Sequence, residues 1–214
     1  MRIVVAIMLL ALVVSVPAAA YVDAGAGGPV AWEPPTPEAE VAWRHSLALG
    51  EPAAGRLVRG VRVPPEGEDF FTWDPVLHRV PNRASRRWGT DKLVRFLLRV
   101  IGEYAAAHPD APRVGIGDLS RRRGGPFGPV HMTHQNGLDA DVYYPRRDRR
   151  ERPPRLVSEI DRRLAQDLLD RFVAAGAKLV YVGPNTGFMG PRGVVEVLWN
   201  HDNHLHVRIR GTTD

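Results

Sequence analysis

The chain has 214 residues, a formal net charge of +5 and an apolar fraction of 44%. These values are typical of a globular protein with one large domain or two small ones. The chain contains no cysteine, so a disulfide framework is excluded and a hydrophobic core must carry the stability.

The first twenty residues have the pattern of a secretory signal peptide. Arg2 provides a positive start, residues 3–16 are apolar apart from Ser15, and residues 17–20 read Pro-Ala-Ala-Ala, a small-residue cleavage site. The apolar stretch is too short to span a bilayer comfortably, which favours a signal peptide over an N-terminal membrane anchor. We therefore predict an exported protein, periplasmic or extracellular, with no membrane span once residues 1–20 are removed.

The segments that follow predict one α+β domain over residues 41–214. Residues 21–40 are rich in glycine and proline and predict a flexible lead-in. Glycines between residues 41 and 65 predict turns between short strands. One amphipathic helix is predicted from Thr90 to His108, and a second carries apolar residues at helical spacing from Ile160 to Val173. Strands are predicted at residues 114–119, 140–144, 178–182 and 205–209. This order favours a small, mostly antiparallel sheet flanked by helices.

Five of the eight histidines lie in two short windows, and two aspartates follow the first window. These residues are His131, His134, Asp139 and Asp141 in the first window, and His201, His204 and His206 in the second. Imidazole and carboxylate are ligands of catalytic zinc, which takes three protein ligands and leaves one position open for water. We therefore predict a zinc hydrolase with two ligands from the first window and one from the second.

Strand geometry can bring these windows together. A spacing of two places His204 and His206 on one face of a strand, and Asp139 and Asp141 share a face if their strand begins early enough. A turn at Asn136-Gly137, between His134 and that strand, can fold His134 back over the carboxylates. Spacing alone does not decide which aspartate is the ligand.

Arginine supplies nearly all of the positive charge, with runs at residues 121–123 and 146–150. Such runs can bind nucleic acid, but these lack interleaved aromatic residues and a recognition helix. For an exported chain, solvated loops or retention on an anionic cell-wall polymer are the better interpretations.

The histidine windows resemble those of the penicillin-insensitive murein endopeptidases, within the wider group of lysostaphin-type, D-alanyl-D-alanine metallopeptidase and hedgehog-like zinc peptidases. The motifs are His134-Gln-Asn-Gly-Leu-Asp-Ala-Asp141 and His204-Leu-His206. Segments 50–55, 86–89, 117–119 and 124–125 are also similar to the family, so the resemblance covers roughly residues 46–210. Cysteines found in some members are absent here.

The resemblance implies a zinc ion and a role for each residue around it. The implied zinc ligands are His134, Asp141 and His206. The implied catalytic residues are His204, as the general base, and His131 and His201, as additional histidines near the scissile bond. Asp139 would orient a ligand imidazole. The implied substrate is the D-alanyl-meso-diaminopimelyl cross-link between peptidoglycan stem peptides.

Two alternative functions remain compatible with the sequence. A D,D-carboxypeptidase or dipeptidase acting on stem-peptide ends would need a closed pocket for a free carboxylate rather than an open groove. A catalytically silent, zinc-containing module that binds the cell wall would be expected to lose His204 while keeping the three ligands. Because His131, His201 and His204 are all present, the sequence favours an enzyme.

Overall fold

A mixed six-stranded sheet and two helices share one core in the computed structural model of the chain, which describes residues 41–128 and 131–211. The strands are β1 (Leu47–Glu51), β2 (Ala54–Val58), β3 (Val61–Arg62), β4 (Phe70–Thr72), β5 (Trp88–Gly89), β6 (Val114–Ile116), β7 (Asp139–Tyr143), β8 (Leu179–Val182), β9 (Val195–Val197) and β10 (His204–Arg208). The helices are α1 (Asp91–Ala107) and α2 (Arg162–Ala174).

The strand order of the large sheet is β4-β6-β7-β10-β8-β9. Its three central pairings, β6 with β7, β7 with β10 and β10 with β8, are antiparallel. The outer pairings, β4 with β6 and β8 with β9, are parallel. The predicted α+β class, with a mostly antiparallel sheet and flanking helices, is therefore confirmed.

Alternation along β7 and β10 gives the sheet one apolar face and one polar face. The side chains of these strands that enter the core are Ala140, Val142, Leu205 and Val207. The intervening residues, which by alternation belong to the opposite face, are Asp139, Asp141, Tyr143, His204, His206 and Arg208. The packing of the core thus presents the aspartates and histidines together on the other side of the sheet.

The two helices begin at capping side chains and pack against each other. Thr90 caps α1 and Asp161 caps α2, each accepting a hydrogen bond of 3.1 Å from the backbone N–H three residues further on. Phe96 of α1 and Phe172 of α2 meet with ring centroids 5.8 Å apart. Phe172 is fully buried, so this contact lies inside the core.

Several boundaries differ from the sequence prediction. The second helix begins at Arg162 because Asp161 serves as its cap, so Ile160 lies outside the helix, although it is fully buried. Strand β6 ends at Ile116 rather than at residue 119. The sequence does not predict β4, β5 or β9, which have only two or three residues each and are too short to show a clear alternation.

The strands predicted between residues 41 and 65 correspond to a β1–β2 hairpin and to β3, which pairs with β5. The proposed signal peptide (1–20) and lead-in (21–40) lie outside the described residues. Within residues 41–128 and 131–211, no helix is both long enough and apolar enough to cross a membrane.

Replacing Phe172 by alanine is expected to lower the free energy of unfolding by about 3–5 kcal/mol, because the change leaves a cavity between α1 and α2. Phe172→Leu keeps most of the volume and should be much less destabilising. Urea denaturation of both variants measures the difference. A loss below about 1 kcal/mol for the alanine variant would contradict this packing.

Candidate metal centre

Cross-strand pairing of β7 with β10 brings the two sequence windows together. Asp141 lies opposite His206, and Tyr143 lies opposite His204. The Asp139–Arg208 pair completes the row on the same face. Strand β7 begins at Asp139, so both aspartates are on the strand and share this polar face.

His134 reaches the same point from the loop before β7. Its backbone has a positive φ of 67°, and its side chain is almost fully buried. The Nδ1 atom of His134 faces the backbone carbonyl of Leu119, which can only accept a hydrogen bond, so Nδ1 carries the hydrogen. The opposite nitrogen, Nε2, lies 3.3 Å from Oδ1 of Asp141 with its lone pair available to a metal.

His206 is oriented in the same manner by a carboxylate. Its Nε2 atom lies 2.8 Å from Oδ1 of Asp139, and its Nδ1 atom lies 3.2 Å from Oδ1 of Asp141. Burial lowers the pKa of His206, but the two carboxylates more than offset this effect and raise it to about 9. A metal ion at Nδ1 would therefore compete with a proton on this ring.

Asp139 is itself held by Arg208, which contacts the same carboxylate oxygen as His206. Arg208 donates a hydrogen bond of 2.6 Å from Nε to Oδ1 of Asp139. Burial would raise the pKa of Asp139, but His206 and Arg208 are among the groups that lower it to about 2. Asp139 is therefore a carboxylate that orients His206, in the arrangement common for histidines that bind metals.

The Oδ1 atom of Asp141 is the point on which the imidazoles converge. It is buried, and among the residues that the structure describes it makes no hydrogen bond. Burial would raise the pKa of Asp141, but His134 and His204 hold it well below its usual range. An ionised, buried carboxylate oxygen without a hydrogen bond, beside two imidazole nitrogens, suits a divalent cation.

His131 is a more exposed member of this cluster and lies beside a third buried aspartate, Asp118. Its Nε2 atom lies 3.5 Å from Oδ2 of Asp141 and 3.3 Å from Oδ2 of Asp118. Burial lowers the pKa of His131, but these two carboxylates raise it above the ordinary value. Ligand atoms of His131, His134 and Asp141 all lie within 4.8 Å of one another, so this trio could also hold a metal ion.

His204 and His201 line the other side of the cluster. Nδ1 of His204 lies 2.6 Å from the side-chain oxygen of Asn203, and Nε2 lies 3.7 Å from Oδ1 of Asp141. The His201 ring is 4.7 Å from the His204 ring, and its Nδ1 donates to the Trp199 carbonyl at 2.8 Å. Burial lowers the pKa of His204 to about 4, so the ring is a neutral proton acceptor at pH 7.

All of the predicted site residues thus lie in one cluster, which also includes groups that the sequence reasoning did not assign. Asp118 is fully buried, accepts a hydrogen bond from Asn82 at 2.9 Å and pairs with Arg86. Tyr181 of β8 lies opposite His206, with ring centroids 5.7 Å apart. The predicted strand over residues 178–182 could have revealed Tyr181 by alternation, whereas no spacing rule links Asp118 to the histidines.

These nitrogen and oxygen donors define a site of the kind found in metallopeptidases, with imidazole and carboxylate ligands and further histidines beside them. The sequence model of one family, described as penicillin-insensitive murein endopeptidase, matches residues 48–173, which is more than half of the chain. The chain therefore belongs to this family. The matched segment includes the first histidine window and ends before the second.

A curated relative, the penicillin-insensitive murein endopeptidase of Haemophilus influenzae, is similar over part of its length. It is 28% identical over 95 residues, which are 44% of this chain and 30% of the relative. The aligned segment thus spans less than a third of the relative.

The geometry predicts that the chain binds one divalent metal ion and that His206→Ala loses it. The substitution removes a buried imidazole, so that only His134, Asp141 and the more exposed His131 remain to hold the ion, and we expect this weaker set to lose it on dialysis. Metal content after dialysis, measured by mass spectrometry, checks this expectation. His45→Asn, at an exposed histidine outside the cluster, is the matched control and should retain the metal. Full occupancy in His206→Ala would show that His206 is not a ligand.

Proposed function

We propose that this protein is a zinc-dependent endopeptidase that hydrolyses the D-alanyl-meso-diaminopimelyl cross-link of peptidoglycan. The observation that carries the proposal is the buried Oδ1 atom of Asp141, with Nε2 of His134 at 3.3 Å and Nδ1 of His206 at 3.2 Å. Membership of the murein endopeptidase family supports the reaction class.

We assign His134, Asp141 and His206 as the zinc ligands. Both histidines have their second ring nitrogen committed to an acceptor, which selects the tautomer that leaves a lone pair for the metal. A bound zinc ion would supply a hydroxide nucleophile near neutral pH and would polarise the peptide carbonyl. His131 is close enough to act as an additional or alternative ligand.

His204 is the proposed general base. Its Nδ1 atom is held by Asn203, so Nε2 is the nitrogen free to take a proton from the attacking water. His204 then gives that proton to the amine released when the peptide bond breaks. His201 lies beside His204, with its Nδ1 hydrogen committed to the Trp199 carbonyl. His131, whose pKa is raised by Asp141 and Asp118, could donate a hydrogen bond to the negative charge on the carbonyl oxygen.

The proposed place of action is outside the cytoplasmic membrane. The signal-peptide pattern of residues 1–20 supports export, and peptidoglycan is the substrate implied by the name of the family. The mechanism needs no serine nucleophile, so β-lactams that acylate such serines would leave it unaffected.

Digestion of purified, cross-linked muropeptide dimers tests the reaction directly. We expect two monomers whose masses sum to that of the dimer plus one water, with cleavage abolished by a chelator and unchanged by penicillin. Loss of only a terminal D-alanine would identify a carboxypeptidase, and intact dimers would indicate a binding module. Cleavage that resists chelation and is blocked by penicillin would overturn the metal-dependent mechanism.

His204→Ala tests whether His204 acts as the general base or as a zinc ligand. The variant should keep its zinc but lose about 100-fold or more in turnover, the usual scale for removal of a general base. Zinc content and the rate of dimer cleavage are measured on the same preparation. If the variant loses zinc while His206→Ala keeps it, the roles of the two histidines are reversed.

A further inference from the structure

Three segments of the chain contain nine arginines and no acidic residue. They are residues 52–65, 82–90 and 119–138. Because like charges repel, such segments would be expected to lie apart unless the fold or a partner brings them together. Six of the nine arginines are exposed and form what we call the basic patch: Arg56, Arg59, Arg62, Arg121, Arg122 and Arg123.

Backbone contacts hold the three segments against one another. The Leu57 N–H donates to the carbonyl of Arg123 at 3.0 Å, which joins β2 to the loop after β6. Strand β3 pairs with β5, and the Trp88 N–H of β5 donates to the carbonyl of Ser120 at 3.2 Å. The arginines of the patch are therefore gathered on one region of the surface by the fold itself.

The described carboxylates do not neutralise the charge of the basic patch. Over residues 41–128 and 131–211, none of its six arginines forms an ion pair with a carboxylate, whereas Arg113 pairs with Glu66 and Glu151, and Arg146 pairs with Asp148 and Glu159. A surface with this much uncompensated charge attracts polyanions. The guanidinium fork is well matched to carboxylate and phosphate groups.

Two arginines of the basic patch lie over the partly exposed ring of Trp88. Arg62 and Arg122 each lie 5.7 Å from the centroid of the Trp88 ring. Nucleic-acid surfaces commonly combine positive charge with aromatic faces that stack on bases. Because arginines lie over the ring of Trp88 and Phe127 is buried, the basic patch favours a polymer that presents charges and no bases.

The basic patch adjoins the candidate metal centre. The Gly125 N–H, two residues after Arg123, donates to the carbonyl of Gln135 at 2.9 Å, and Gln135 follows His134 directly. Arg121 lies 5.8 Å from the centroid of Phe127, whose ring stacks on that of His134. A polymer that enters the centre would therefore pass beside the patch.

We propose that the basic patch is a second, non-catalytic binding surface for murein, which recognises carboxylates of stem peptides neighbouring the one at the metal centre. The choice of partner rests on the proposed function. Stem peptides repeat along each glycan strand, and their diaminopimelyl residues keep a carboxylate after cross-linking. The surface would thus increase affinity for the polymer by adding contacts that an isolated muropeptide does not provide.

Binding to purified sacculi tests this surface without requiring cleavage. The protein used is the full chain with His204→Ala, and the fraction that sediments with sacculi is measured over a range of salt concentrations. The patch variant replaces Arg56, Arg59 and Arg62 by glutamine in this background. We expect it to bind sacculi about tenfold more weakly at low salt, and its affinity should fall less steeply as salt is added. The matched control removes three exposed arginines near the start of α2, Arg150, Arg155 and Arg163, and should bind like the parent.

Chemical treatment of the sacculi distinguishes the anion that is recognised. Amidation of their carboxylates should abolish the difference between parent and patch variant, and removal of phosphate polymers with hydrofluoric acid should leave that difference unchanged. Three outcomes would overturn the proposal. The difference could survive amidation and vanish after removal of phosphate polymers, or the control variant could bind as weakly as the patch variant. The patch could also bind duplex DNA as tightly as it binds sacculi. Since cleavage of muropeptide dimers is measured separately, failure of this surface and failure of the proposed activity give different results.

Discussion

The register between β7 and β10 is the constraint on which the candidate site depends, because it places Asp141 directly opposite His206. A slip of one residue would turn the aspartates or the histidines toward the core face. That slip is opposed by the apolar residues of the same strands, which are fully buried on the other face: Ala140, Val142, Leu205 and Val207. The alternation of side chains along β7 and β10 thus both packs the core and assembles the site.

Three buried aspartates lie close together in this site, and their surroundings give them different roles. Asp139 is paired with Arg208, and Asp118 is paired with Arg86. Within the described part of the chain, the basic groups at ion-pair distance from Asp141 are all imidazoles. A buried charge needs a partner. Because arginines already compensate the other two carboxylates, Asp141 is the one whose charge is best balanced by a cation.

The sequence predicts the elements that have clear periodicity and the groups that lie on them. Both helices, and the strands that carry Asp141 and His206, follow from the spacing of side chains along one element, although the predicted strands begin one residue after Asp139 and His204. Asp118 could not be assigned in this way, because its contact with His131 depends on how the loop after β6 meets a different loop. Nor does spacing distinguish Asp139 from Asp141, whereas the register and the position of Arg208 separate them.

The loop that carries His134 is held in part by the β1–β2 hairpin. The Gln135 N–H donates to the carbonyl of Pro52 at 3.0 Å, and the side chain of Asn136 donates to the carbonyl of Gly50 at 3.0 Å. Gly124, with φ of +69°, packs so closely that a Cβ there would lie 2.0 Å from the carbonyl oxygen of Gln135. The position of His134 therefore depends on the β1–β2 hairpin, whose second strand carries Arg56. Because this hairpin supports both the proposed ligand and part of the proposed polymer-binding surface, a polymer bound there would lie against the segment that orients the metal centre.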